Sequence, residues 1–334
     1  PEIEALRERQ EPILHEPVET KPNVAGPMAV ESNITHVNAD DVWAMGYDGE
    51  GIVVANIDTG VRYTHEALVN HYRGNEGGGS FDHNYNWWDP IDNDPAPNDH
   101  HSHGSHTMGT MLGDDGGDNQ IGMAPGAQWI ACQAFEGGGD TALLECGQFM
   151  AAPWDLNGNN ANPDLRPNIV NNSWGDCGTT YSSWYEGVIN AWHAAGIYPV
   201  FSNGNASNCG YPYPPGLNTV GNPARSGNVT GVGSTGQNNG EYADHSNWGP
   251  TDDPDTITPR GYANLKPQVV APGVSIRSAY NNGDDVYGSM GGTSMSAPHV
   301  VGLVALMWDA APCLTGDYAN TETLIEQTAV PIPY

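Results

Sequence analysis

In the stretch "GGTSMSAPHVVGLVALMW", residues 291–308, two glycines, a Thr and a Ser run directly into an apolar segment. Gly291 and Gly292 give the backbone the freedom a tight turn needs. From 298 to 308 nearly every residue is apolar, which implies a helix buried all round rather than one lying on a surface. The hydroxyl of Ser294, at the start of such a helix, sits near unpaired N–H groups and the positive end of the helix dipole. Taken alone, Thr293 and Ser294 are ordinary N-caps.

A helix buried all round needs a sheet to lie on, and the chain supplies one. Short apolar runs recur at "GIVVANI" (51–57), "QWIACQAF" (128–135), "NIVNNS" (168–173), "GIYPVFS" (196–202) and "NVTGVGS" (228–234). Segments with helical potential, such as 142–151 and 181–195, lie between them. This alternation predicts an α/β domain whose mainly parallel sheet is covered on both faces. There is no internal repeat and no linker after residue 36, so 36–334 read as one domain. Residues 1–35 read as an N-terminal arm or a precursor remnant, Pro- and Glu-rich over 1–30.

Composition narrows the partners. The 334 residues suffice for a large core, and no apolar run reaches 18 residues. Ten basic residues face forty acidic ones, a formal charge of −30, and the lysines are Lys21 and Lys266 alone. That argues against nucleic acid and anionic membrane surfaces as partners, since both need cationic patches. Most of the carboxylates are expected to solvate the surface. No basic and apolar leader opens the chain, which suits a trimmed, secreted product. None of the five cysteines forms a CxxC pair. Short loop spans favour Cys132 with Cys146 and Cys177 with Cys209, leaving Cys313 free, although spacing alone leaves the connectivity open.

Three stretches at strand or loop ends carry chemistry. Asp58 closes the run 51–57 in "NIDTGV"; by itself such an Asp usually begins a turn. "HHSHGSHTMGTMLG" (100–113) has small residues at 104, 105, 107, 109 and 110, so a helix beginning near His103 can pack closely on the sheet. Ser294 opens the third. A serine hydroxyl is a weak nucleophile that needs an imidazole to take its proton and a carboxylate to hold that imidazole's tautomer. Asp, His and Ser therefore mean most if they meet in space.

"DTGV" (58–61), "HGSHTMGT" (103–110) and "GTSMSAPHVVG" (292–302) resemble, in this order, the three signature blocks of the subtilisin family of serine proteases. "NGN" (203–205) resembles the segment bearing the family's oxyanion asparagine, and "KPQVVAPGVSI" (266–276) resembles another hallmark. "GYDGEGIVVANIDTG" and "NQIGMAPGAQWIACQAF" look most like bacillopeptidase F-like members. The resemblance implies a subtilisin-like three-layer α/β/α fold and a serine endopeptidase. It further implies Ser294 as nucleophile, His103 as general base and Asp58 as its support. Asn205 and the Ser294 N–H would form the oxyanion site. Ser173, Trp174 and Gly175 would pair with an extended substrate, and Gly204, Ala206 and Gly221 would line a pocket for a large apolar or aromatic P1 side chain. "SNCGYPYPPGLN" (207–218) departs from the family beside that pocket.

Calcium is expected at "DPIDNDPAPND" (89–99), where Asp89, Asp92, Asp94 and Asn98 cluster on a proline-stiffened loop similar to a calcium loop in the family. His100, His101, His103 and His106 could suggest zinc, but there is no HExxH and His103 belongs to the signature. A sedolisin-type acid protease would carry Glu and Asp where this chain has His103 and Asn205. The resemblance also implies protein or peptide substrates, an inhibitory propeptide in a zymogen, a monomer and secretion. A catalytically silent binding protein on the same fold would usually have lost one of these residues.

Overall fold

The computed structural model of the protein describes residues 9–25, 29–253 and 265–332. The elements that build the site begin with two short strands, β1 (Ile13–Leu14) and β2 (Glu19–Lys21). They continue with β3 (Val53–Asp58), β4 (Trp87–Trp88), α1 (His103–Leu112), β5 (Gln128–Gln133) and α2 (Gly139–Ala151). Next come β6 (Ile169–Asn172), β7 (Trp174–Gly175), α3 (Glu186–Ala194), β8 (Tyr198–Ser202) and β9 (Thr230–Thr235). Last are β10 (Val269–Pro272), β11 (Ile276–Ala279), β12 (Tyr287–Gly291), α4 (Thr293–Ala310) and α5 (Tyr318–Thr328).

A seven-stranded sheet runs in the order β10-β9-β8-β6-β3-β5-β4, parallel throughout. All five apolar runs of the sequence lie in it. Their continuous apolar character has a simple cause, because successive residues serve opposite faces. Val54, Trp129, Ile169 and Val200 enter one core with α1 and α4, through Met108, Met111, Val301 and Val304. Ala55, Ile130, Val170 and Phe201 enter the other with α2 and α3, through Leu143, Phe149, Ile189 and Trp192. The result is three layers, helices on both faces of the sheet. The short edge strand β4 and strand β10 carried no separate strand signal in the sequence.

Two glycines set the starts of α1 and α4. A Cβ at Gly104 would collide with the Gly60 carbonyl, so only glycine lets the start of α1 lie against the turn after β3. Gly292 sits at φ 151°, where L side chains are strained, and turns β12 into α4. The disulfides pair Cys132 with Cys146 and Cys177 with Cys209, and Cys313 is free and exposed. No helix among the described residues is long and apolar enough to cross a membrane.

Candidate active site

Asp58 ends β3 and His103 begins α1, and both are fully buried. His103 Nδ1–H donates to Asp58 Oδ1 at 2.7 Å, which leaves Nε2 as the nitrogen able to accept a proton. The same carboxylate oxygen accepts the Thr59 N–H at 2.8 Å. Asp99 braces this corner, a role the sequence did not single out. Its Oδ1 accepts from the Thr59 hydroxyl and the N–H groups of His101 and Ser102, and its Oδ2 accepts both the N–H and the hydroxyl of Ser105. Burial pushes the Asp99 carboxyl up despite these bonds.

Ser294 lies in the first turn of α4. Pro298, four residues on, has no N–H to give to the Ser294 carbonyl, and the Ser173 hydroxyl donates there instead at 3.1 Å. Ser173 in turn accepts from Asn171 Nδ2, which also donates to Asn56 Oδ1. Asn56 Nδ2 then donates to the Gly104 carbonyl and the Thr107 hydroxyl. A buried amide relay thus joins the first turn of α1 to that of α4. Its sequence signal is two asparagines inside apolar strands, at 56 and 171.

Asn205 follows β8. Its Oδ1 accepts the Thr293 N–H at 2.9 Å and the Thr293 hydroxyl at 3.0 Å, which fixes the orientation of the amide. Its Nδ2 donates to the backbone carbonyl of Glu16 at 3.0 Å. The occupant of the site is therefore the N-terminal segment of the chain itself. β1 pairs antiparallel with β7, Ile13 opposite Gly175 and Leu14 opposite Trp174. His15 N–H donates to the Ser173 carbonyl at 3.2 Å. Ser294 Oγ donates to the His15 carbonyl at 2.7 Å.

The other expected residues divide. Gly204 and Gly175 flank the His15 ring; a Cβ on Gly175 would stand 2.8 Å from its Nε2 and one on Gly204 3.4 Å. Trp174 offers its backbone to Leu14, while its indole is buried in the core against Tyr185 and Phe201. Gly221 is turned to the Asp176 carbonyl, and Ala206 is buried with its N–H on the His245 carbonyl. His106 Nε2–H donates to the Ile276 carbonyl, 2.9 Å away, and burial holds its pKa down to about 3. His100 is exposed, and His101 pairs with Glu16 at 3.4 Å.

The loop 89–99 is closed by hydrogen bonds of its own. Asp89 spends its carboxylate on the N–H groups of Ile91, Asp92 and Asp94. Asn98 Nδ2 donates to Asp94 Oδ2 at 2.6 Å. Asp89 thereby caps the turn that opens the loop holding Asp92, Asp94 and Asn98. Among the described residues, no group of three or more His, Cys, Asp or Glu side chains is placed to hold a metal ion. One oxygen, Asn98 Oδ1, is buried without a hydrogen-bond partner.

An Asp–His pair and a serine at the carboxyl ends of a parallel sheet, with an extended peptide crossing them, define a class of hydrolase site. The chain belongs to the subtilase family, whose model matches residues 49–332. It is 41% identical over 313 residues to bacillopeptidase F of Bacillus subtilis (strain 168), covering 91% of this chain but 20% of that protein. It is 28% identical to a thermostable alkaline protease of Halalkalibacterium halodurans, over 93% of this chain and 71% of the relative. Subtilisin BL of Lederbergia lenta is 29% identical, over 85% of this chain and 86% of its own length. The chain thus spans about a fifth of the bacillopeptidase F it matches.

Proposed function

We propose that the chain is a secreted serine endopeptidase in which Ser294, His103, Asp58 and Asn205 perform peptide hydrolysis. One observation carries this reading: a peptide carbonyl lies on the Ser294 hydroxyl while His103 is locked to Asp58 by its Nδ1. Ser294 Oγ attacks the scissile carbonyl and passes its proton to His103 Nε2. Asp58 holds the imidazole tautomer and stabilises the imidazolium that forms. The Asn205 amide and the Ser294 N–H bind the developing oxyanion, and Thr293 keeps that amide pointed at it. His103 then protonates the leaving amine, and water repeats the sequence on the acyl-enzyme.

The substrate binds as an added strand along Ser173, Trp174 and Gly175, so affinity comes largely from backbone hydrogen bonds and specificity is broad. The glycine walls beside the P1 position suit a flat ring or another large side chain. Two disulfides and the strongly acidic composition support export. Residues 1–35 act as part of a precursor, and 36–334 as the catalytic unit, working as a monomer. A calcium ion at the loop 89–99 belongs to the proposal through Asn98 Oδ1 and the neighbouring Asp94 carboxylate; bound there, it would stiffen the loop that leads to His103. A chelator such as EGTA should then lower the melting temperature by a few degrees, restored by added calcium.

The test of the whole reading is direct. A fluorophosphonate should label the protein at Ser294 and abolish casein hydrolysis, and Ser294→Ala should be inert in both assays. Casein hydrolysis that survives Ser294→Ala would sink it.

A further inference from the structure

Asn56 and Asn171 lie inside two apolar runs of the sequence and stand directly opposite one another on the neighbouring parallel strands β3 and β6. We propose that they are positioning residues for the reaction: their linked amides fix the spacing between the starts of α1 and α4, and with it the spacing between His103 Nε2 and Ser294 Oγ. The proposal rests on the serine endopeptidase reading above.

Alternation along the strands turns both amides to the face that α1 and α4 cover. Val54, Asn56 and Asp58 share that face on β3, as do Ile169, Asn171 and Ser173 along and just past β6. Each strand therefore offers two polar side chains, two residues apart, to the helix starts. From β3, Asp58 holds the His103 ring at 2.7 Å. Asn56 Nδ2 donates to the next residue's carbonyl, that of Gly104, at 3.2 Å and to the Thr107 hydroxyl at 2.8 Å. Past β6, the Ser173 hydroxyl donates to the Ser294 carbonyl at 3.1 Å. Asn171 closes the span, its Nδ2 donating to Asn56 Oδ1 and to the Ser173 hydroxyl oxygen, each at 3.0 Å. One NH2 group thus sends a hydrogen toward each helix start.

The pair carries a cost that packing alone would not retain. Asn56 is 1% exposed and Asn171 fully buried, and Asn171 Oδ1 has no hydrogen-bond partner among the described residues. A buried acceptor left unmet costs free energy, whereas two apolar side chains of the same size would fill the space without that penalty. What Asn171 supplies in return is its two hydrogens. They matter because the reacting atoms do not hold each other. His103 Nε2 is buried without a partner, and the Ser294 hydroxyl lies on the His15 carbonyl. Their separation is set from behind, through the carbonyls of residues 104 and 294 that the relay grips. A misplacement of about 1 Å at reacting groups can cost roughly 10²-fold in rate, so a link of this kind acts on kcat.

The test separates positioning from a purely structural role. In Asn56→Leu, kcat on a chromogenic peptide amide should fall about tenfold with KM unchanged, and fluorophosphonate labelling of Ser294 should slow by the same factor. Ser173→Ala should lose a similar factor. Because both residues belong to one link, the double variant should be no slower than either alone, instead of losing about a hundredfold. Where Asn56→Leu fails to fold, Asn56→Leu combined with Asn171→Leu removes both partners together and strands no buried amide; it should fold and show the same fall in kcat. Unchanged kcat in a folded variant of either kind, a loss carried by KM, or additive losses in the Asn56–Ser173 cycle overturns the proposal. Casein hydrolysis and Ser294 labelling of the unaltered protein run alongside. If both are present and the variants match it, only this inference falls; if both are absent, the endopeptidase reading falls and this inference with it.

Discussion

At the start of α1, His103 is held by the protein's own groups: Asp58 on its ring, and behind it Asp99 with contacts to Thr59, His101, Ser102 and Ser105. At the start of α4, the backbone carbonyl of Ser294 is held by the Ser173 hydroxyl, but the Ser294 hydroxyl is engaged by residue 15 of the chain's own N-terminal segment. One helix start is locked in place whatever occupies the site, and the other shows its reactive atom meeting a peptide. The difference teaches where the protein invests rigidity. On the proposed function, the base must keep one tautomer through the whole reaction, while the nucleophile has to exchange partners at every turnover.

The comparison breaks most sharply at the α4 end. Asn205→Ala removes an amide that Thr293 holds in place, and kcat should fall by about 10²–10³ with KM little changed, the magnitude established for the oxyanion asparagine of subtilisin itself. Equal loss in KM and kcat would assign Asn205 to binding instead. A smaller effect is expected at the α1 end from Asp99→Asn. An amide presents one acceptor oxygen where the carboxylate used two, so part of the bracing of His103 is lost. The expected result is a roughly tenfold lower kcat and a loss of stability of about 1–3 kcal/mol. Asp99 is a positioning residue, so labelling of Ser294 should slow while peptide KM stays put.

The smallest effect sharpens the comparison between the buried histidines of the two helices, His106 on α1 and His299 on α4. Burial lowers their pKa values to about 3 and about 4. His299 is fixed neutral, its Nδ1–H donating to the Met295 carbonyl at 2.7 Å and its Nε2 accepting from Asn33 Nδ2 at 2.9 Å. The unfolded chain takes up these protons near pH 6.5 and the folded chain only near 3–4. Their stabilising contribution is therefore complete above about pH 6.5 and is lost as pH falls through that window, by up to about 1.4 kcal/mol per pH unit for each histidine. His299→Gln should reduce proton uptake on unfolding at pH 5 by about one, measured from the pH dependence of the urea midpoint. An unchanged slope would mean that His299 is protonated in the fold.

Much of the architecture was legible because it rests on local rules. Apolar runs such as 51–57 and 196–202 announced strands buried on both faces, and the small residues after His103 announced a close helix–sheet contact. The disulfides follow the short spans expected of them. Less was legible wherever a side chain's partner lies far along the chain. The spacing around Asp89 could not show that its oxygens accept the amides of its own turn. The backbone of Trp174 pairs with Leu14, while alternation along the strand sends its indole into the core.

From its sequence alone this chain determined its layers, the order of its strands and helices and the positions of Asp58, His103, Asn205 and Ser294 at their ends, because periodicity and turn chemistry act over a few residues. Only the tertiary structure decided that Asn56 and Asn171 join the two helix starts, that Asp99 stands behind Asp58, and that residues 13–21 cross the site, strand-paired at 13–14 and 19–21. Those contacts span from about forty to nearly three hundred residues of chain. They form only after the sheet has closed, when buried polar groups must find partners that no local pattern encodes.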